Sequence, residues 1–412
     1  MNGVLTFVMA GGRGERLYPL TRDRAKPAVP FAGLYRIIDF TLTNCLHSGL
    51  RHVFVLTQYK SLSLERHIHQ GWAIFSPAVG EFITTVPPQQ RVANRWYLGT
   101  ADAMYQNWYS VERFAAERGA PEAILILAGD HVYKMDYRKM LDFHRDRDAD
   151  LTVAVLSASL PEAAGKLGVL AVDREWRVLR FQEKPLEPAP SPKDPVACLA
   201  SMGIYVFRPE ALARRLEEDA GIATSTHDFG KDVINRMVGE DKVVAFPFEL
   251  GNRNDTPYWR DVGTVDAYWD AHMDLVAVTP KFNLYDREWP IHTHQEPWPP
   301  AKTVHEEPGR TGTAVSSLLS PGSIVSGSHV ARSVLSPGVR VNSFATVEES
   351  VLLSGVDVGR GGARPPSDRG QGRAHPARGG DRPRSRAGPE AVHGHRRGDR
   401  GHPQGSPVLM LA

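Results

Sequence analysis

Val4-Leu5-Thr6-Phe7-Val8-Met9 runs straight into Ala10-Gly11-Gly12-Arg13-Gly14-Glu15-Arg16-Leu17. A short apolar run broken by glycines reads as a buried strand ending in a tight turn. Val53–Thr57, Ala123–Leu127 and Leu151–Leu156 are runs of the same kind. Helical patterns alternate with them, at Thr41–Ser48, Ser63–Gly71, Thr100–Arg118 and Tyr137–Arg147. Such alternation predicts an α/β unit, a mostly parallel sheet with helices on both faces. Ligands of these sheets bind beyond the carboxyl ends of the strands, which is where the glycine turn falls.

Glycines in that turn let backbone N–H groups approach a phosphate closely. Arg16 and Lys26, the latter in Arg24-Ala25-Lys26-Pro27-Ala28, bring positive charge to the same end. Two familiar phosphate motifs do not fit. The dinucleotide pattern G-x-G-x-x-G/A would put bulky Leu17 at its last position, and G-x-x-x-x-G-K-[ST] is absent.

Outward from this unit the pattern changes twice. Residues 281–305, with Trp289-Pro290 and Trp298-Pro299-Pro300, read as a linker. From Ser323-Ile324-Val325-Ser326-Gly327-Ser328 through Val347–Leu352 small and aliphatic residues recur in hexads. A sustained hexapeptide period marks a parallel β-helix over 306–360. From Gly361 to Pro407 there are 11 Gly, 7 Pro and 10 Arg against four acidic residues, and Val392 is the one large apolar residue. Such a stretch cannot bury enough apolar surface to offset its ordering entropy, so 361–412 is expected to be a disordered tail.

The chain has 412 residues and a formal net charge of +2. The tail alone carries +6, which leaves residues 1–360 at −4. That balance argues against a nucleic-acid or membrane-surface protein. No apolar run approaches the ~18 residues of a transmembrane helix. Met1-Asn2-Gly3 lacks a basic n-region, so no signal peptide is expected. Two cysteines, Cys45 and Cys198, read as free thiols of a reducing cytoplasm.

The pattern G-G-x-G-x-R-L followed by x-K-P resembles the signature of sugar-nucleotide pyrophosphorylases. Longer stretches are similar to the bacterial ADP-glucose pyrophosphorylases: Arg36-Ile37-Ile38-Asp39-Phe40, Trp96–Ala103, Ala128–Tyr133, Phe181–Pro185, Ala200–Tyr205, His227–Asp232 and Tyr258–Thr264. The resemblance runs in order from about Leu5 to Val358. It implies a Rossmann-like nucleotidyltransferase domain over 1–280 and a left-handed β-helix. The implied reaction joins ATP to glucose 1-phosphate, giving ADP-glucose and diphosphate, the first committed step of bacterial glycogen synthesis. It also implies Mg²⁺ and a homotetramer.

By the same resemblance Gly11, Gly12, Gly14 and Arg16 hold the triphosphate and Lys26 supports it. Asp130 and Asp261 would bind Mg²⁺, which takes oxygen ligands and bridges phosphates. Lys184 would meet the sugar phosphate and Glu183 the sugar hydroxyls. Gly168, Ser201 and Tyr97 complete the sugar or nucleotide contacts, with Gln58, Trp96 and Thr100 near the adenine or in coupling loops. His131 and His227 show no metal spacing and read as polar loop and core residues. A non-catalytic regulatory subunit, a pyrophosphorylase for another nucleotide sugar and a hexapeptide acyltransferase are the rival readings. Presence of Arg16, Lys26, Asp130, Lys184 and Asp261 together favours catalysis.

Two departures stand out. Leu34 occupies a position where well-studied enteric members carry an effector-binding Lys, leaving Arg36 as the allosteric candidate. The last coils of the family are replaced by the Gly/Arg/Pro tail. Read one base later, the codons of Asp368–Arg378 permit Ile-Val-Asp-Lys-Gly-Val-Arg-Ile-Pro-Pro-Gly, a plausible β-helix coil. One extra base near the codons of Arg360–Gly362, a sequencing error or a real mutation, would account for the switch. If it is an error, resequencing that locus restores the coil; an unambiguous in-frame read of the sequence as it stands refutes the error.

Overall fold

A computed structural model describes residues 3–89, 96–191, 194–254, 256–361, 390–393 and 408–411. Its contacts divide the chain into two compact units. The first comprises Met1–Val29, Arg36–Gly263 and Lys281–His294. The second comprises Pro30–Tyr35, Thr264–Pro280 and the chain from Gln295 onward.

In the first unit, strands run across the sheet in the order Val178–Gln182, Val169–Val172, Ala197–Phe207, Ala123–Ala128, Val4–Met9, His52–Leu56, Phe82–Val86. Val4–Met9 is parallel to both neighbours, with Val8 opposite Val55 and Leu127. Leu151–Ser159 pairs antiparallel with Ala197–Phe207, and Val243–Pro247 joins it in parallel. The expected parallel centre is present, with one long antiparallel strand beside it. Ala197, Ala200, Ser201 and Gly203 mute the β signal of that strand, and between Ser201 and Tyr205 a bulge interrupts its register.

Helices pack on the sheet through two apolar cores. The stretch read as one helix, Thr100–Arg118, is two: Thr100–Gln106 and Trp108–Arg118. At the break the Asn107 amide donates to the Ala103 carbonyl at 2.7 Å and to the Tyr97 hydroxyl at 2.8 Å. A side-chain amide that captures a helical carbonyl competes with the backbone ladder.

The segment 281–294, read as linker, is built into this first unit around Asp39. That fully buried carboxylate accepts hydrogen bonds from the Trp72 indole at 2.9 Å, the Thr293 hydroxyl at 2.7 Å and the Arg36 amide at 2.8 Å. His67 Nε2 lies 2.6 Å from Asp39 Oδ1. A buried charge needs such partners, and these tie two helices to the returning chain.

The second unit is a coil with three parallel ladders. One stacks Lys302–Val304, Ile324–Ser326, Arg340–Val341 and Asp357–Val358. Another stacks Thr313–Val315, His329–Ala331 and Thr346–Glu348, and the third Leu318–Leu319, Val334–Leu335 and Ser350–Leu352. This is the hexapeptide β-helix, its interior filled by residues such as Val325, Val330, Leu335 and Val347. One corner repeats as Gly322, Gly338 and Gly355, with φ of 76°, 72° and 77°, the left-handed turn that glycine makes at no steric cost. Two short strands lie in the region expected to lack structure. Val408–Leu411 runs parallel to Ser350–Leu352, and Glu390–His393 pairs back on it. The rest of the expected tail, 362–389, 394–407 and 412, lies outside the described residues.

Leu34 also belongs to this unit. Near it, the Ala32 amide donates to His272 Nε2 at 2.9 Å, and His272 Nδ1 donates to the Tyr268 carbonyl at 2.7 Å. Burial pushes the His272 pKa down to about 4 from 6.5. The folded imidazole therefore stays neutral at a pH where the unfolded one takes up a proton. Acidification from about pH 6.5 toward 4 favours unfolding, by up to about 3 kcal/mol for this group. Thermal unfolding followed between pH 7.5 and 4.5 should show this loss, and His272→Gln should flatten the pH slope.

Candidate active site

At the carboxyl ends of Val4–Met9 and Ala123–Ala128 the first unit opens into a cavity of about 610 Å³. Glycine loop, strand ends and turns each deliver side chains to it. Gly14, with φ of 65°, starts the short 3-10 turn Glu15–Leu17. A Cβ there would lie 2.9 Å from the Lys26 Cβ and 3.0 Å from the Thr21 methyl. Glycine is thus required both by conformation and by the close approach of the Lys26 segment.

Lys26, buried at 6% exposure, is the centre of the site. Its ammonium donates to Asp130 Oδ2 at 2.8 Å and to Asp261 Oδ1 at 2.5 Å. Asp130 follows the strand Ala123–Ala128 through Gly129, whose amide donates to the Met9 carbonyl. Asp261 ends the strand Trp259–Asp261, which pairs antiparallel with His131–Tyr133 and sets Asp261 directly opposite His131. Three residues far apart in sequence therefore meet at one ammonium. Burial pushes the Lys26 pKa down, but the two carboxylates outweigh it and the pKa is raised. Burial likewise pushes the Asp130 pKa up, yet the charge of Lys26 beside it holds the carboxyl well below its ordinary range. Lysine and carboxylate thus stabilise each other's charged forms.

Gly12, Arg16 and Gly263 line one wall of the cavity. A Cβ on Gly263 would lie 2.9 Å from Asp261 Oδ1 and 3.1 Å from Arg16 Nη2, so the Arg16 guanidinium reaches the Asp261 turn. On another wall Lys184 pairs with Glu183 at 3.0 Å, with Lys184 exposed and Glu183 largely buried. The Ser201 amide donates to the Gly168 carbonyl at 2.8 Å, which brings Gly168 and Ser201 together in the lining.

The remaining expected residues do not line the cavity. Gly11 packs against Gln58, and the Gln58 amide donates to the Tyr97 carbonyl at 3.2 Å. Tyr97 is buried in the core, its hydroxyl taken by Asn107. The Thr100 hydroxyl bridges the Phe229 amide and Asp228. Arg36 is engaged at the start of the next helix, donating to the Ser63 hydroxyl at 2.7 Å and carbonyl at 3.0 Å.

The cavity is also lined by residues that the sequence does not mark as site residues, among them His131, Lys166, Gly203, Tyr205 and Trp259. Gly203 inside a strand is a bulge signal that could have flagged this wall. His131, read as a polar core residue, lines the cavity because its strand pairs with the Asp261 strand.

A cationic, glycine-edged cavity surrounds a Lys–carboxylate cluster, on a chain that continues into hexapeptide coils. Residues 5–277 match the nucleotidyl transferase family and residues 299–363 the GlmU-like C-terminal hexapeptide. The chain belongs to the nucleotidyl transferase family, and it is a nucleotidyltransferase enzyme. It is 52% identical to the glucose-1-phosphate adenylyltransferase of Rhodopirellula baltica, over 87% of this chain and 80% of that protein. It is 54% identical to the enzyme of the same name from Koribacter versatilis, over 86% and 84%. With glucose-1-phosphate adenylyltransferase 2 of Vibrio cholerae it shares 48% identity over 88% of each.

Lys26→Met would leave two carboxylates facing each other without their cation. Loss of one preorganised charge in such a site lowers kcat by about 10²–10³-fold. Steady-state rates should fall by that amount in a variant whose unfolding temperature, lowered by the uncompensated carboxylates, still lies above the assay temperature; a kcat within about threefold of wild type would contradict a catalytic role for Lys26.

Proposed function

We infer that the chain is a glucose-1-phosphate adenylyltransferase, converting ATP and α-D-glucose 1-phosphate to ADP-glucose and diphosphate. The observation that carries this reading is the ammonium of Lys26 between Asp130 and Asp261, flanked by a glycine–arginine wall and a Glu183–Lys184 wall. A nucleoside triphosphate and a sugar phosphate are both anionic, and two cationic walls with a central cluster suit two such substrates at once.

In this reading backbone N–H groups of Gly12 and Gly14, with Arg16, hold the triphosphate. Lys184 holds the phosphate of glucose 1-phosphate, and Glu183 and Ser201 take its sugar hydroxyls. A phosphate oxygen of the sugar phosphate attacks the α-phosphorus in line. The bond from that phosphorus to the β-bridging oxygen breaks, and diphosphate leaves with the electron pair. No proton transfer is needed, so the protein's part is positioning and charge neutralisation.

Nucleotidyltransferases of this kind generally use a divalent metal. Asp130 and Asp261 fit one: they are hard oxygen donors already gathered about a cation, and we assign Mg²⁺ to them. Bound there, the ion would neutralise charge on the phosphates. Gln58, Tyr97 and Thr100 act behind the nucleotide subsite rather than in it, through the contacts given above. A homotetramer in the cytoplasm and a place in glycogen synthesis complete the reading. Among the described residues no helix is long and apolar enough to cross a membrane.

An assay offering glucose 1-phosphate with ATP, UTP, dTTP or GTP tests the assignment. ADP-glucose should form from ATP at a rate well above the other nucleotides, and Asp130→Ala should lack it. Preference for another nucleotide, or no product from any, would overturn it.

A further inference from the structure

We propose that His131 is a third donor at the metal site, so that the site is built from two carboxylates and one imidazole. The inference rests on the reading of Asp130 and Asp261 as metal ligands and goes beyond it. Backbone register is the first ground. His131 and Asp261 are directly opposed across the antiparallel pair His131–Tyr133 and Trp259–Asp261, and opposed side chains share a face about 5 Å apart. Asp130 precedes this ladder at the bend after the strand Ala123–Ala128, where its Oδ1 faces His131 and Lys26 joins it to Asp261.

Side-chain geometry is the second. One donor atom from each of Asp130, His131 and Asp261 lies within 4.8 Å of the others. Ligands on opposite sides of a metal with bonds of about 2.1 Å are about 4.2 Å apart, so the three span one ion with little adjustment. Lys26 takes Asp130 Oδ2, while Asp130 Oδ1 faces His131 Nε2 at 3.4 Å. At that separation the imidazole and the carboxylate are neighbours rather than a tight hydrogen-bonded pair. His131 Nδ1 is buried and has no hydrogen-bond partner among the described residues. The indole of Trp259 packs edge-on against the ring, with centroids 4.8 Å apart, and limits its swing.

An imidazole among oxygen donors changes which ions the site prefers. Mg²⁺ and Mn²⁺ both suit oxygen donors, but Mn²⁺ tolerates an imidazole better than Mg²⁺ does, and Co²⁺ lies further toward nitrogen along the Irving–Williams order. His131 thus takes part in metal selection: the site retains Mg²⁺ through its carboxylates and gains affinity for Mn²⁺ and Co²⁺ through the ring.

The test uses Mn²⁺ alone with the full-length enzyme, without nucleotide. Pulsed EPR should show directly coordinated ¹⁴N on the bound ion, and His131→Asn should remove that coupling. Titration should show Mn²⁺ affinity falling at least about tenfold in His131→Asn and Mg²⁺ affinity changing by less than about twofold, with Asp261→Asn weakening both. Bound Mn²⁺ that depends on Asp130 and Asp261 but shows no nitrogen coupling overturns the role of His131 and leaves the carboxylate site standing. An ion that does not bind, or binds independently of both carboxylates, overturns the two together.

Discussion

One ammonium organises the catalytic unit. Lys26 reaches from the glycine-rich N-terminal segment to Asp130 at a central strand end and to Asp261 on a strand 235 positions away in the chain. A charge this buried is tolerated only when it is paired, and Asp130 in turn is held ionised by it. The cluster therefore fixes where three segments meet, and the cavity forms around that meeting point. Removing one member leaves a buried charge without its counterpart, which disturbs the rest more than the loss of a surface pair would.

The surrounding fold supports that constraint. Parallel strands bring the glycine turn and Asp130 to the same edge. Gly14 lets the Lys26 segment approach to contact distance. A two-stranded ladder carries Asp261, and with it His131 and Trp259. Further cations line the cavity, Arg16 on one wall and Lys184 on another, so two anionic substrates can be brought together without mutual repulsion deciding the geometry.

Much of this is legible in the sequence because the relevant signals are local. Apolar runs bounded by glycines mark the parallel strands, and hexads mark the coils. Gly12, Gly14, Arg16, Lys26, Asp130, Glu183, Lys184 and Asp261 sit at strand ends and turns that a one-dimensional reading can place. What it cannot place depends on pairing between distant segments. His131 reads as a polar loop or core residue because its neighbour across the ladder is 130 positions away. Tyr97 reads as a ligand contact, whereas Asn107 claims its hydroxyl at the point where a helix that reads as continuous breaks. Residues 281–294 read as a linker because of their prolines and tryptophans, yet Thr293 closes on buried Asp39.

The most direct measurement is a crystal structure of the enzyme with ADP-glucose and Mg²⁺. The expected result is the diphosphate bridge of the product between the Gly12–Arg16 turn and Lys184, the ion on Asp130 and Asp261, and the glucosyl group against Glu183 and Ser201. Product bound elsewhere, or an ion held away from both carboxylates, would contradict it.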